Sequence, residues 1–336
     1  MNIRIRSLSK GAPRRFAARL LVFGLLGSAL AATYVGVPAP AAAATAAAVR
    51  STLPLLLVHG WSDSCKAFTA VDTNDPGTSA VGAVDYFHAQ GYTDVRAVGY
   101  YADGGHTSTY HTHGNVTTND ATTANGGDCF VNVVDTEATK HAGDCVNAHG
   151  LDSANAPADD GFVNSSVEYL GCLFAWYVYD VNTTEGTPVD VVAHSMGGLV
   201  VRSALAFSGS GNTRGYPTVA LKIRRVITVA TPHLGLTGTN AAIYNIQSPG
   251  EEITDMTSCA GFANSCQVTG IAQDGSSVDK TLQTSSLLKA LEAAGLPRGG
   301  DNAYWALMGS SIQCSTASRA LTSCINFNQL GALSTY

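Results

Sequence analysis

The sequence predicts an α/β fold: one mainly parallel β-sheet with helices on both faces. Three observations predict it. A short, continuous apolar run such as Leu53–Val58 has the length and composition of a strand buried on both faces. Segments with apolar residues at helical spacing alternate with such runs. Regular alternation of strand and helix lays parallel strands side by side beneath covering helices.

Taken in order, Leu53-Pro54-Leu55-Leu56-Leu57-Val58, ended by His59-Gly60, is expected to be a central strand. Val81, Val84 and Phe87, with Ala80 and Ala83, mark a helix to Gln90 that Gly91 stops, and Asp94–Tyr100 resumes as strand. From 101 to 161 Gly, Thr, Asn, Asp and His dominate and periodicity is lost, so a surface insertion is expected there. Val163, Val167, Leu170, Phe174 and Tyr177 or Val178 then share a helical face. Val189–Ala193 follows as strand, Gly197–Leu205 as helix and Arg224–Ala230 as strand. The stretch 233–284 is again irregular and is expected to be lid-like. A helix at Ser286–Ala294 and a strand at Tyr304–Gly309 come after it.

With 336 residues and 45% hydrophobic content the chain can bury one large core, and one domain over 50–336 is expected. Before it, Arg4, Arg6, Lys10, Arg14, Arg15 and Arg19 precede an apolar run from Leu20 to about Val37. An Ala-rich stretch with several Ala-x-Ala choices follows. This is the pattern of an export signal over 1–44, cut between 38 and 48, and it implies a secreted protein; a retained membrane anchor is the alternative. Removing the leader takes six of the 19 basic residues and none of the 25 acidic ones, so the formal charge moves from −6 to −12. Such a balance excludes nucleic-acid binding as an expectation, and a monomer is expected. Eight cysteines in an exported chain read as disulfides. Short loops favour Cys259 with Cys266, Cys129 with Cys145 and Cys314 with Cys324. The absence of any Cys-x-x-Cys argues against a zinc site of that type.

Two turns carry candidate chemistry. Ala193-His194-Ser195-Met196-Gly197 joins a strand directly to a helix, with small residues two before and two after the serine. That spacing permits a sharp strained turn, which lifts the Ser195 hydroxyl above the sheet; the bland alternative is a serine N-cap. At the end of the first strand, Val58-His59-Gly60-Trp61 places a glycine where backbone must come close to a bound group. Beside a serine turn of this kind, the backbone N–H groups of Trp61 and Met196 would face a developing oxyanion. His59 and His194 are expected to be structural hydrogen-bonders. Trp176, Tyr177 and Tyr179 are expected in the helix core.

The strings Leu-Pro-Leu-Leu-Leu-Val-His-Gly-Trp, Ala-His-Ser-Met-Gly-Gly-Leu-Val-Val-Arg and Val-Ala-Thr-Pro-His-Leu-Gly resemble the secreted bacterial triacylglycerol lipases and esterases of the α/β-hydrolase superfamily. The resemblance runs from about Pro54 to Gly235 and more loosely to Ser310. It implies the α/β-hydrolase fold and ester or lipid hydrolysis through an acyl-enzyme, with transient contact to a lipid interface. Ser195 would attack, a histidine would act as base, and an Asp or Glu would orient it. No cofactor is implied.

The chain departs from that family where acid and base should follow. After Ser195 the only histidine is His233, and after Asp301 there is no carboxylate side chain. The C-terminal part therefore reads as incomplete. Three accounts follow: a product truncated or frameshifted near 311, a variant in which His233 or an insertion histidine reaches Ser195, or a non-catalytic lipid or ligand binder that keeps the fold. His106, His111, His113, His141 and His149, with Asp103, Asp120, Asp128 and Asp144, lie in the insertion. His111-x-His113 has the makings of a zinc or calcium site, but solvated histidines are the expectation and no metal ligand is assigned.

Overall fold

The computed structural model of the chain describes residues 52–61, 63–69, 82–101, 107–108, 116–117, 122–123, 127–145, 166–209, 211, 213–247, 250–259, 263–272, 274–295, 303–307 and 334–335. The expected export signal and its cleavage region lie outside the described residues. So do Cys314, Cys324, His106, His111, His113 and His149.

The elements, in chain order, are β1 (Leu55–Val58), α1 (Lys66–Thr69), α2 (Ala83–Ala89), β2 (Val95–Gly99), β3 (Thr107–Ser108), β4 (Val116–Thr117), β5 (Val131–Asn132), α3 (Val133–Cys145) and α4 (Val167–Val178). A π-helical turn at Tyr179–Thr183 extends α4. Then come β6 (Val189–His194), α5 (Met196–Phe207), β7 (Ile223–Val229), α6 (Gly238–Gln247), α7 (Glu251–Met256), β8 (Ser265–Ile271), β9 (Ser277–Gln283), α8 (Ser286–Ala294), β10 (Ala303–Leu307) and β11 (Ser334–Thr335). Among the described residues the main sheet has the order β11-β10-β7-β6-β1-β2-β5. Every pairing is parallel except β10 with β11. This is the α/β-hydrolase type of architecture, a mainly parallel sheet with helices packed on it.

β1 shows why its sequence is continuously apolar. Leu55 and Leu57 point into a cluster with Phe68, Val95 and Ala97, whereas Leu56 and Val58 point into the larger core with Val98, Leu170, Val191 and Leu199. Successive side chains of a strand leave on opposite faces, so a strand with a core on each side has no polar face to spend. Helix α4 is buried almost throughout because α3 packs on one side of it and α5 on another. Its N-terminus is closed by Ser166, whose side chain accepts a hydrogen bond from Tyr169 N at 3.0 Å. Arg96, from β2, donates to Asp94 at 2.6 and 2.8 Å and to the Tyr177 hydroxyl at 3.2 Å, which ties the sheet to α4.

Two stretches expected to be irregular contain regular structure. Within 101–161, β5 extends the sheet alongside β2 and α3 covers α4. α3 has a weak apolar face in sequence, Val133, Val134, Ala138 and Cys145 amid charged residues, so its periodicity is hard to see. Within 233–284 lie α6, α7 and the antiparallel β8–β9 hairpin, whose strands are mostly exposed on one face. The disulfides also correct one expectation. Cys259 pairs with Cys266 as the short loop suggests, but Cys129 pairs with Cys65 and Cys145 with Cys172. Cys145 ends α3 against α4, where its Cα lies 5.8 Å from that of Cys172, and Cys129 just precedes β5, where its Cα lies 5.1 Å from that of Cys65. Both spacings suit a bridge. Helix packing and sheet order, which are not local in sequence, decided the partners.

Candidate active site

The site is built where β1 and β6 end side by side. They pair in parallel with Val58 opposite Ala193, so the turn after β1 and the turn after β6 emerge together at the same edge of the sheet. Ser195 sits between β6 and α5 with φ 53° and ψ −128°, in the left-handed half of backbone space that a residue with a Cβ rarely enters. Such a conformation costs about 1–3 kcal/mol and persists only where the surroundings enforce it. The enforcement is visible. Ser195 N donates to Val229 O of β7 at 2.8 Å, and Gly198 N donates to Ser195 O at 3.0 Å.

Close approach explains the glycines around the serine. A Cβ on Gly60 would lie 2.8 Å from Ser195 Cβ and 3.2 Å from His194 Nδ1. A Cβ on Gly197 would collide with the His59 carbonyl, and one on Gly198 with the Thr231 side chain. The two turns are therefore pressed against one another, backbone to backbone. Met196 opens α5 and is fully buried, and the first turn of that helix carries no acidic residue. The positive end of the α5 dipole thus faces Ser195 with no acidic side chain of its own first turn to neutralise it.

The histidines resolve into supports. His59 is fully buried: Nδ1 lies 2.9 Å from Gly60 O, its ring stacks on Tyr100 with centroids 4.0 Å apart, and the Tyr100 hydroxyl donates to its carbonyl at 2.5 Å. His194 is held below the usual imidazole range, first by burial; nearby Asp63 opposes that shift and His59 adds to it. His233 Nε2 lies 2.9 Å from Thr228 Oγ1, and burial, reinforced by Arg202, lowers its pKa to about 4. Arg202 donates to the carbonyls of His233 at 3.2 Å and Leu291 at 2.8 Å, clamping the Thr-Pro-His-Leu-Gly turn and α8 onto α5. Among the described residues no side chain hydrogen-bonds the Ser195 hydroxyl.

Trp61 is half-buried, and its ring meets Tyr244 of α6 edge to face at 5.4 Å. Sequence reasoning passed over the acids behind it. Glu252 of α7 is fully buried, and burial raises its pKa well above the carboxylate range. Tyr101 and Trp61 face the carboxyl and oppose that shift, although neither closes a hydrogen bond of strict geometry on it. Asp255, one turn on, accepts from Val167 N at 2.8 Å, and burial still lifts its pKa to about 8. Glu168 is raised by burial despite its ion pair with Arg214 at 2.5 Å. No sequence signal marked these residues, because Glu251, Glu252 and Asp255 look like an ordinary solvated helix start.

A strained serine between a parallel strand and a buried helix, beside a His-Gly turn, has the geometry of a nucleophile elbow on an α/β-hydrolase type of sheet. The segment 161–290, which carries Ser195, matches the family described as "Putative serine esterase (DUF676)". Among solved structures the chain is similar to the lipase BlEst2 of Bacillus licheniformis in its mature form, with 13% identity and a TM-score of 0.38 over 78% of this chain and 68% of that one. It is also similar to the phospholipase PlaB of Legionella pneumophila, with 14% identity and a TM-score of 0.37 over 78% of this chain and 40% of that one. Lipase 1 of Pelosinus fermentans gives 18% identity and a TM-score of 0.26 over 58% and 45%. The chain thus spans less than half the length of two of these three. No curated protein matches it by sequence.

Proposed function

We propose that the protein is a secreted carboxylic ester hydrolase acting on lipid esters, with Ser195 as its nucleophile. The observation that carries this is the Ser195 backbone at φ 53°, wedged between Gly60 and the start of α5. In the proposed reaction Ser195 Oγ attacks the ester carbonyl carbon and its proton passes to a base. The oxyanion is held by the backbone N–H groups of Trp61 and Met196. Collapse expels the alcohol, and water then releases the acid from the acyl-serine. The strained Ser195 turn and its close approach to Gly60 support this reading, and among the described residues no imidazole hydrogen-bonds Ser195. A serine without a base loses several orders of magnitude in rate, so slow turnover is expected unless a histidine outside the described residues reaches Ser195.

The test is labelling with a fluorophosphonate followed by peptide mapping. Label confined to the Ser195 peptide, and absent from Ser195→Ala, supports the reading. Equal labelling of the Ser195→Ala protein would remove Ser195 from the role. Complete resistance to label favours the alternative of a non-catalytic lipid binder.

A further inference from the structure

Away from Ser195, α3 and the π-helical turn after α4 bring a histidine and three carboxylates together. Glu137 and His141 stand four residues apart on α3, the spacing that puts two side chains on one helical face. His141 Nε2 lies 3.1 Å from Asp180 Oδ2 in the π turn, and its Nδ1 lies 3.0 Å from Asp144 Oδ2. Ligand atoms of Glu137, His141 and Asp180 all fall within 4.8 Å of one another. The Glu137 side chain is only 2% exposed, and Lys140 Nζ reaches it at 3.4 and 3.5 Å from a position that is itself more than half exposed.

A neutral imidazole owns one N–H, and if Asp144 accepts it at Nδ1, then Nε2 turns a lone pair toward the Asp180 carboxylate. Two acceptors face to face repel unless a proton or a metal cation lies between or beside them. Three carboxylates around one ring, against a single lysine, leave the cluster negative. A carboxylate on the far nitrogen is also what fixes the tautomer of a metal-bound histidine. Two ligands on one tetrahedral ion at bonds of 2.0–2.1 Å stand about 3.3 Å apart, close to the 3.1 Å separation of Nε2 and Oδ2.

The ring is also held in place. It stacks on Trp176 with centroids 3.9 Å apart and planes 6° from parallel, and Trp176 Nε1 donates to Gly215 O at 2.9 Å. The Cys145–Cys172 disulfide joins α3 to α4 one turn beyond His141, so both ligand-bearing segments are cross-linked. The π turn re-aims Asp180 off the register of α4, a local device frequent at functional sites. We propose that Glu137, His141 and Asp180 bind one divalent cation of the zinc class, with Asp144 as the outer partner of the histidine and water completing the coordination. One nitrogen and two carboxylate oxygens suit zinc or cobalt(II) better than calcium, which prefers six to eight oxygens.

The experiment is calorimetric titration of zinc(II) into the purified, chelator-treated chain, repeated with cobalt(II) to read the visible absorption of a low-symmetry site. One saturable equivalent is expected. His141→Ala and Asp180→Asn should each weaken it at least a hundredfold, and Asp144→Asn about tenfold. Far-UV circular dichroism reports whether each variant folds, and if His141→Ala does not, Asp180→Asn decides. No saturable uptake, or uptake unchanged in a folded Asp180→Asn protein, overturns the proposal. In that case the hydrogen bonds of His141 to Asp144 and Asp180 alone account for the geometry, and zinc retained by the variant belongs to histidines elsewhere.

Discussion

At the scale of single residues, Ser195 and Gly60 were legible because steric need writes itself into sequence: a strained turn demands small neighbours, and a close approach demands glycine. Gly60→Ala would set a methyl group 2.8 Å from Ser195 Cβ. The variant should fold, with a loss of about 1–3 kcal/mol measured by denaturant melts, yet fail to react with a fluorophosphonate. Labelling at the parental rate would mean that the turns have room to part. The buried acids were illegible, since nothing in Glu-Glu-Ile-Thr-Asp-Met tells which carboxylate will face solvent. They have a consequence for pH. Asp255 keeps a proton in the fold up to about pH 8, whereas in the unfolded chain it releases that proton near the ordinary aspartate value of 3.8. Between those values the native state binds more protons than the unfolded state, so stability is fully present below pH 3.8 and falls as pH rises. His233 works oppositely, gaining stability from about pH 4 to 6.5 because the fold keeps it neutral while the unfolded chain protonates. The two slopes cancel up to 6.5 and leave Asp255 unopposed above it. From pH 6.5 to 8 the protein should lose about 2 kcal/mol of stability on account of Asp255, with buried Glu252 acting in the same direction, and Asp255→Asn, which can still accept from Val167 N, should make that limb shallower in urea melts. A slope unchanged by Asp255→Asn would assign it to other groups.

At the scale of elements, strands and helices with a core on one or both faces could be read directly: β1, β2, α4, β6, α5, β7, α8 and β10 lie close to where hydrophobic patterning puts them. The elements missed, α3, α6, α7 and the β8–β9 hairpin, cover the core from outside, so few of their residues are apolar and the pattern fades. The same cause misled the cysteines. Pairing by shortest loop is a statement about chain entropy, but the native contact of α3 with α4 fixed Cys145 on Cys172, 27 residues away, and β5 fixed Cys129 on Cys65, 64 residues away. Closing a 64-residue loop restricts the unfolded chain by about 4 kcal/mol, against about 3.5 kcal/mol for 27 residues. The double variant Cys65→Ala, Cys129→Ala should therefore cost somewhat more stability than Cys145→Ala, Cys172→Ala in guanidinium melts. The reverse order would show that the α3–α4 bridge acts through the native state. Arg202 makes a second element-scale prediction. It spans α5, the His233 turn and α8 through two carbonyls, so Arg202→Leu strands buried acceptors and should lower stability by about 2–4 kcal/mol, read as a shift in the urea midpoint.

At the scale of the whole molecule, the sheet order was legible as a class and not as a list. Alternating strands and helices imply parallel pairing with right-handed crossovers, but only the fold reveals that β1 lies between β2 and β6 and so sets His59-Gly60-Trp61 against Ser195. That order also decides what His233 can do. It is the only histidine after Ser195 in the sequence, and it follows β7, the strand next to β6, so its turn leaves the sheet at the same edge. The side chain instead lies with Nε2 against Thr228, its carbonyl clamped by Arg202 and its imidazole kept neutral down to about pH 4 by burial. A general base works best with a pKa near the operating pH and within hydrogen-bond reach of the proton it takes; His233 has neither property. His233→Ala, assayed at a temperature where the variant is folded, is accordingly expected to hydrolyse a short-chain nitrophenyl ester within about threefold of the parent, at a rate several orders of magnitude below that of a complete serine triad. Fast turnover by the parent that vanishes in a folded His233→Ala protein would give His233 the role of base. Fast turnover that survives it would direct the same substitution to His106, His111, His113 and His149 in turn.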